Sequence, residues 1–422
     1  MWSAERIYGK CGPDHKHSFP KLSMKTVGAG CAVALAGLAL LVTGCGSSST
    51  AAESESAAGA PVKIGYLASL TGFCARFARE YVQGAELAVR RIDARGGVDG
   101  HRLRLVVRDD KATPSVGVSQ ARELVLGDRV KYLAGACTSQ VGKSVAQLVA
   151  NPLHVIYAVG VADPRAFEGG PEIYAFDTIP TTNVEGRNAA AYIRAHPRWK
   201  RIAVIGEDYD YGHQVTAAFR AAMAGSGQTI VSQEYVPAGG ADYTPYIDKL
   251  ISERPDVVYS SVIAEDAITL VKQGLPLGLF AKTNVFGVMD YATLDHMPEP
   301  PVGVEGYTYY PSASIYRTPF ARELRSLGTT VANGGAAGDA FNQIELIAQG
   351  IVRAKSTDPT KVRDALEEAT VQTVQGSVRI HRCDHELAMP IAMGRVAGPT
   401  RARPFAHFEP LRLVDTNEYF GC

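Results

Sequence analysis

This chain lacks a surplus of either charge: 43 Lys and Arg stand against 43 Asp and Glu, and no Lys/Arg cluster is interleaved with aromatics. Recognition of nucleic acid or of an anionic lipid surface needs a concentrated positive field, so neither is expected and the ligand is to be sought in a pocket. Also missing is an apolar run that spans a bilayer with ease, because Val27 to Val42 falls short of the ~20 residues a membrane helix needs. There is no Gly-x-Ser-x-Gly elbow and no Ser, Asp and His at strand ends in hydrolase order, which disfavours a secreted α/β hydrolase. Gly96-Gly97-Val98-Asp99-Gly100 precedes a strand instead of opening a helix, so no helix dipole would face a phosphate and the segment reads as a turn. The chain has no internal sequence repeat, and cysteine is sparse, with 7 among 422 residues.

What is present begins with an export signal. Lys21 and Lys25 precede the apolar run, which ends in small residues at Val42-Thr43-Gly44-Cys45. That pattern is a lipoprotein signal, whose cysteine would carry a diacylglycerol and hold the mature protein outside the cytoplasmic membrane. Residues 1–44 are accordingly expected to be the export signal, with Met24 as the true start, since residues 1–23 look like no export leader. The rival is an ordinary cleaved signal peptide with an incidental cysteine. Residues 45–60 follow as the lipidated cysteine and a Ser/Ala/Glu-rich flexible tether. Export permits disulfides, and four cysteines remain after Cys45, namely Cys74, Cys137, Cys383 and Cys422, which allow three pairings.

Beyond the tether, strands and helices alternate. Val62 to Leu67 reads as a short buried strand, and Tyr81 to Ala94 places Ala85, Leu87, Ala88 and Ile92 at helical spacing. Leu103 to Val107, Tyr132 to Gly135, His154 to Val159 and Tyr174 to Phe176 continue as strands, with helices from Ser115 to Leu126 and from Lys143 to Ala150 between them. The pattern restarts at Arg201 to Gly206 and runs to long helices at Pro319 to Leu327 and Asp339 to Ala354, then to a β-rich, antiparallel section from Gly376 to Val396. A parallel pair of strands needs a helix to return the chain, so the expected fold is α/β with two doubly wound parallel-sheet lobes, each with ample apolar residues for a core.

Three segments, VKIGYLASLTG from Val62, QGAELAVRRIDARGGVDG from Gln83 and LRLVVRDD from Leu103, resemble the start of the branched-chain amino acid binding proteins, the Leu/Ile/Val-type solute receptors of ABC importers with the type I periplasmic binding fold. Asp208-Tyr209-Asp210-Tyr211-Gly212 and Thr373-Val374-Gln375-Gly376 are similar again, so the likeness covers nearly all of Val62 to Val396. It implies two lobes joined by a hinge crossed three times, near 177–180, 304–306 and 374–376. Lobe 1 would comprise residues 61–178 plus 306–373, and lobe 2 residues 180–303 plus 376–410. It also implies a small-molecule ligand, no cofactor, no catalysis, and a permease of the branched-chain amino acid importer type as partner.

By the same resemblance, Thr138 binds the ligand head through hydroxyl and amide, Phe77 lies against the ligand body, and Tyr211 supplies an aromatic from the second lobe. General topology agrees, because ligands of open α/β sheets sit beyond the carboxyl ends of the strands, here the loops 69–78, 137–142 and 159–164. Cys137, Thr138 and Ser139 lead into a helix whose free N–H groups favour a carboxylate or other polar head. Gly160 and Val161 replace the family's small hydroxyl-bearing loop, leaving backbone groups and Asp163. Ile263 falls near a second-lobe aromatic position, and Asp290 only near the family's ammonium-binding glutamate, which argues against an α-amino acid. The expected ligand is a small polar organic molecule (organic acid, amide or amino-acid-like) captured by hinge closure and delivered to the importer. A sensor feeding a membrane-associated regulator is the alternative.

Other signals have plainer readings. His381, Cys383 and His385 fall on one strand face as a possible metal trio, but a disulfide accounts for the cysteine more simply, so no metal is assigned. Asp109 and Asp110 read as solvated strand-end carboxylates, and Tyr307, Tyr309 and Tyr310 as hinge packing. Adjacent first and third strands would bring the loops of Cys74 and Cys137 together, pairing them and leaving Cys383 with Cys422.

Overall fold

The computed structural model describes residues 59–419 apart from 73, 168–172, 290, 295–296, 311, 314, 329–330, 332–334 and 402–405. The export signal, Cys45, Asp290 and Cys422 lie outside the described residues.

The first sheet is parallel throughout and ordered β2-β1-β3-β4-β5: β1 (Gly59–Ala68), β2 (His101–Asp109), β3 (Tyr132–Gly135), β4 (Ile156–Val159) and β5 (Ala175–Asp177). Helices α1 (Ala75–Asp93), α2 (Pro114–Arg122) and α3 (Ser139–Val145) return the chain between these strands, the last running on into a π-helical turn, Ala146–Ala150. β1 starts at Gly59, inside the expected tether, with a register shift before Val62. β4 starts only at Ile156, because His154 sits in a left-handed conformation (φ 53°) that a strand does not accept.

The second sheet runs β14-β13-β10-β9-β8-β6-β7. Its strands are β6 (Arg201–Glu207), β7 (Thr229–Val236), β8 (Val257–Ser260), β9 (Asn284–Val288), β10 (Glu305–Thr308), β13 (Ile391–Ala397) and β14 (His407–Val414). β6 to β10 are parallel, whereas β13 and β14 add antiparallel. Helices α4 (Thr182–Arg194), α5 (Asp210–Met223), α6 (Thr244–Ser252), α7 (Ala264–Leu277), α8 (Leu279–Lys282) and α9 (Tyr291–Leu294) belong to this half. Helices α10 (Pro319–Leu324), α11 (Ala336–Ala354) and α12 (Pro359–Leu366) return to the first half, followed by a small antiparallel pair, β11 (Thr370–Thr373) with β12 (Gly376–Arg379).

The halves have separate cores, which locates the passages between them. Phe176 packs in the first core and Ile179 in the second. The second passage lies later than 304–306, because β10 pairs on both sides within the second sheet, Tyr307 against Val288 and Met393. The third also lies later than 374–376: Val378, Ile380, Leu387 and Met389 still pack in the first core, and Ile391 opens β13 in the second.

α11 is the buried spine of the first lobe. Phe341, Ile344, Ile347 and Ile351 are inaccessible to solvent, and burial of such side chains contributes about 1.5–3 kcal/mol each. α1 presses on it so closely that a Cβ at Gly84 would stand 2.1 Å from the Ala337 carbonyl oxygen, so only glycine fits there.

A candidate ligand cleft between the lobes

The carboxyl ends of the strands of both sheets converge on one pocket, of about 750 Å³ with its open mouth included. From the first lobe come Cys74, Phe77 and Tyr81, the loop Cys137-Thr138-Ser139, and Gly160 and Val161; from the second come Tyr209, Tyr211, Ile263 and Ala264, with Tyr309 and Tyr310 beside the hinge. No lining residue among those described carries a formal charge.

The β3–α3 loop is held tightly. Gly135 (φ 95°) and Ala136 (φ 81°) both adopt left-handed backbone, and a Cβ at Gly135 would strike the Leu67 carbonyl at 2.2 Å. Alanine pays steric strain in such a conformation, and a hydrogen bond from Ala136 N to Leu67 O (2.8 Å) holds it there. On the opposite wall Ala264 (φ 52°) is strained in the same way. Thr138 then caps α3, its Oγ1 accepting from Val141 N at 3.4 Å. That leaves the hydroxyl proton to donate into the pocket beside the free amides of the first helical turn. The disulfide Cys74–Cys137, with Cα atoms 6.4 Å apart, ties this loop to the start of α1. Cys383 is also disulfide-bonded.

Gly160 meets the carboxylate of Asp339: a Cβ there would stand 2.1 Å from Oδ2. Asp339 accepts from Thr178 Oγ1 (2.6 Å) and Gln343 Nε2 (2.9 Å), and burial pushes its carboxyl up to about 7. Behind the second-lobe wall, Glu185 accepts from Tyr211 (2.7 Å) and Tyr307 (2.7 Å), whose oxygen in turn meets that of Tyr259 at 2.9 Å. Burial pushes Glu185 up to about 7, although both phenols oppose the shift. Glu207 accepts from the Ile263 amide (3.1 Å), and burial raises it well above the usual range. Glu185 anchors Tyr211 and Tyr307 from behind, and none of the three carboxyls lines the pocket.

The structure therefore brings together Phe77, Cys137, Thr138, Ser139, Gly160, Val161, Tyr211 and Ile263. Asp163 does not join them, being buried and ion-paired with Arg165 and Lys143. Asp110 is buried, not solvated, and accepts from Ser69 Oγ at 2.6 Å. Of the His381–His385 trio, Cys383 is committed to its disulfide, while His385 stacks on Phe176 at 4.4 Å and is pushed down to about 4 by burial. Tyr309 and Tyr310 line the pocket instead of merely packing at the hinge. The missed signal was β10: once it counts as a strand of the second sheet, the residues just beyond it stand at a carboxyl end like the other lining loops.

Two lobes with separate cores and a triple passage between them leave an open-mouthed cleft at the strand ends, the arrangement of a solute-binding protein. The sequence profile of the periplasmic binding protein family matches residues 61–401, and the chain belongs to that family, in its type I, Leu/Ile/Val-binding form. Its members bind solutes and are not enzymes. The chain is 28% identical over 327 residues to "Leu/Ile/Val-binding protein homolog 3" of Brucella melitensis, covering 76% of this chain and 88% of that one. Among solved structures, it is similar to a solute binding protein of an ABC transporter from Rhodopseudomonas palustris in complex with 3,4-dihydroxybenzoic acid (TM-score 0.74, 20% identity, 85% and 98% of the two chains). It is also similar to the branched-chain amino acid binding protein LivJ of Streptococcus pneumoniae in complex with isoleucine (TM-score 0.69, 18% identity, 83% and 99%).

Proposed function

We propose that this protein is an extracytoplasmic receptor, anchored through an acylated Cys45, that closes on a small organic acid or amide with an apolar or aromatic body and delivers it to an ABC permease. The observation that carries the ligand class is the make-up of the cleft: aromatic rings from both lobes, donors at the start of α3, and no formal charge among the described lining residues. A carboxylate or amide head suits the Thr138 hydroxyl and neighbouring amides. An α-ammonium group would need a buried anion facing it, or bear the cost of burying an unpaired charge. The complex of the R. palustris relative with a dihydroxybenzoic acid fits this class, and the isoleucine complex of the S. pneumoniae protein represents the competing one.

A thermal-shift screen decides between them. A ligand at about 100 times its Kd adds ~2.7 kcal/mol to stability, a readable rise in Tm. Benzoates and simple aliphatic acids or amides are expected to give the largest rises, with leucine and valine well behind; the largest rise from leucine or valine would sink the proposed ligand class. For the anchor, mass spectrometry of membrane-extracted protein is expected to find a diacylglyceryl group on an N-terminal Cys45. An unmodified mature protein beginning elsewhere would refute it.

A further inference from the structure

Four charged side chains meet where α3 of the first lobe approaches α5 of the second, and none of them lines the ligand pocket. Three belong to the first lobe. Asp163 is inaccessible to solvent, and Arg165 wraps it, with Nε 2.9 Å from Oδ1, Nη2 2.8 Å from Oδ2 and its backbone amide 3.0 Å from Oδ1. Lys143 on α3 places Nζ 3.1 Å from the same carboxylate. The fourth, Asp210, opens α5 in the second lobe, and its Oδ2 lies 2.9 Å from Lys143 Nζ and 2.8 Å from Arg165 Nη2.

The two carboxylates are not equivalent. Asp163 needs a cation in every state of the molecule, because a buried carboxylate without one is costly. It therefore holds Lys143 and Arg165 in place whether or not the lobes are together. Asp210, 40% exposed at a helix N-terminus that favours its charge, returns to water without such a loss when the lobes part. An exposed ion pair ordinarily contributes little because two long side chains must be ordered to form it. Here both cations are ordered beforehand by Asp163.

We infer that Asp210 closes an interlobe clasp whose other half, Lys143 and Arg165, is preassembled on Asp163, and that this clasp sets the resting open-to-closed ratio and so a common factor in the affinity for every ligand. The inference rests on the receptor reading only in taking the solute to be held between the lobes. Asp210 is a positioning residue. If binding requires the closed form, apparent affinity scales with the closed fraction, so loss of the clasp weakens all ligands alike and leaves their ranking unchanged.

The test uses the intact protein. Without ligand, the Asp210→Asn variant is expected to exchange amide hydrogens several-fold faster than the parent in peptides covering 137–147 and 207–216, while β3 and β6 stay protected. Asp163→Asn is expected instead to loosen the 161–167 segment and lower Tm. In titrations with benzoate and with leucine as probes, Asp210→Asn should weaken whatever binding the parent shows by about threefold to tenfold, by the same factor for each probe. Asp210→Glu should restore most of it. Raising NaCl from 0.05 to 0.5 M should weaken the parent and not Asp210→Asn, because screening acts on the clasp. Unchanged exchange in Asp210→Asn overturns the clasp, and so does a loss of affinity confined to one probe, which would make Asp210 a ligand contact. If neither probe binds the parent, the ligand class is decided by the thermal screen, and the exchange result still decides the clasp.

Discussion

Phe77 and Thr138 divide the work of the pocket between shape and polarity. Phe77 is half-buried at the start of α1, partly packed against the first core, with part of its ring turned to the cleft. Truncating it removes a face on which a flat ligand body would rest, while the buried Tyr81, Ala85 and Ala88 on the same helix keep α1 in place. Thr138→Ala removes a hydroxyl that caps α3 and faces the pocket, so it costs the fold about 1 kcal/mol as a lost cap. Both variants are expected to fold, to lower Tm by no more than a few degrees, and to bind the best ligand of the thermal screen at least about tenfold less tightly, a change of ~1.4 kcal/mol. Calorimetric titration checks this, and parental affinity in either variant would remove that residue from the site.

Among the elements, those legible in the sequence were the ones whose own residues settle the matter. The pattern of α1 survives in the structure because Ala85, Ala88 and Ile92 are buried in the first core. The loops around Cys74 and Cys137 could be paired because a doubly wound sheet of order 2-1-3 makes β1 and β3 neighbours, as they are here. What escaped was set by partners distant in sequence. β10 is a four-residue strand whose membership is decided by β9 and β13, some twenty and ninety residues away, and misplacing it hid Tyr309 and Tyr310 from the site. β12 looks like the start of the antiparallel section from Gly376, yet it pairs with β11 and stays in the first core, where Val378 packs. Asp163 stood in the right loop, but only the fold reveals that Lys143 and Arg165 turn it away from the ligand. The acids behind the aromatic wall, Glu185 and Glu207, left no trace in sequence, since a carboxylate on a helix or at a strand end ordinarily faces water.

At the scale of the whole molecule, these buried acids give stability an unusual dependence on pH. Glu185 and Asp339 are held up to about 7 by burial, and burial raises Asp177, Glu207 and Glu386 further in the same direction. A carboxyl with a raised folded pKa binds more protons in the native than in the unfolded chain, so its contribution is lost as pH rises from its ordinary range near 4 towards its folded value. His385 works the other way: held down to about 4 by burial, it costs stability as pH falls from about 6.5 towards 4. Asp163 and Asp210, held low by Arg165 and Lys143, matter only in still stronger acid. The acids outnumber the histidine, so Tm is expected to fall as pH rises above about 4, and by several degrees between pH 5.5 and 7.5. Glu185→Gln keeps an acceptor for Tyr211 and Tyr307 while removing the ionisation. That variant should therefore flatten the decline and gain stability relative to the parent as pH rises. Thermal melts of both proteins across pH 5 to 8 measure this directly. A parental Tm that rises over that interval, or a slope the substitution leaves untouched, would mean that the carboxyl behind Tyr211 ionises without cost and has a charge partner or water of its own.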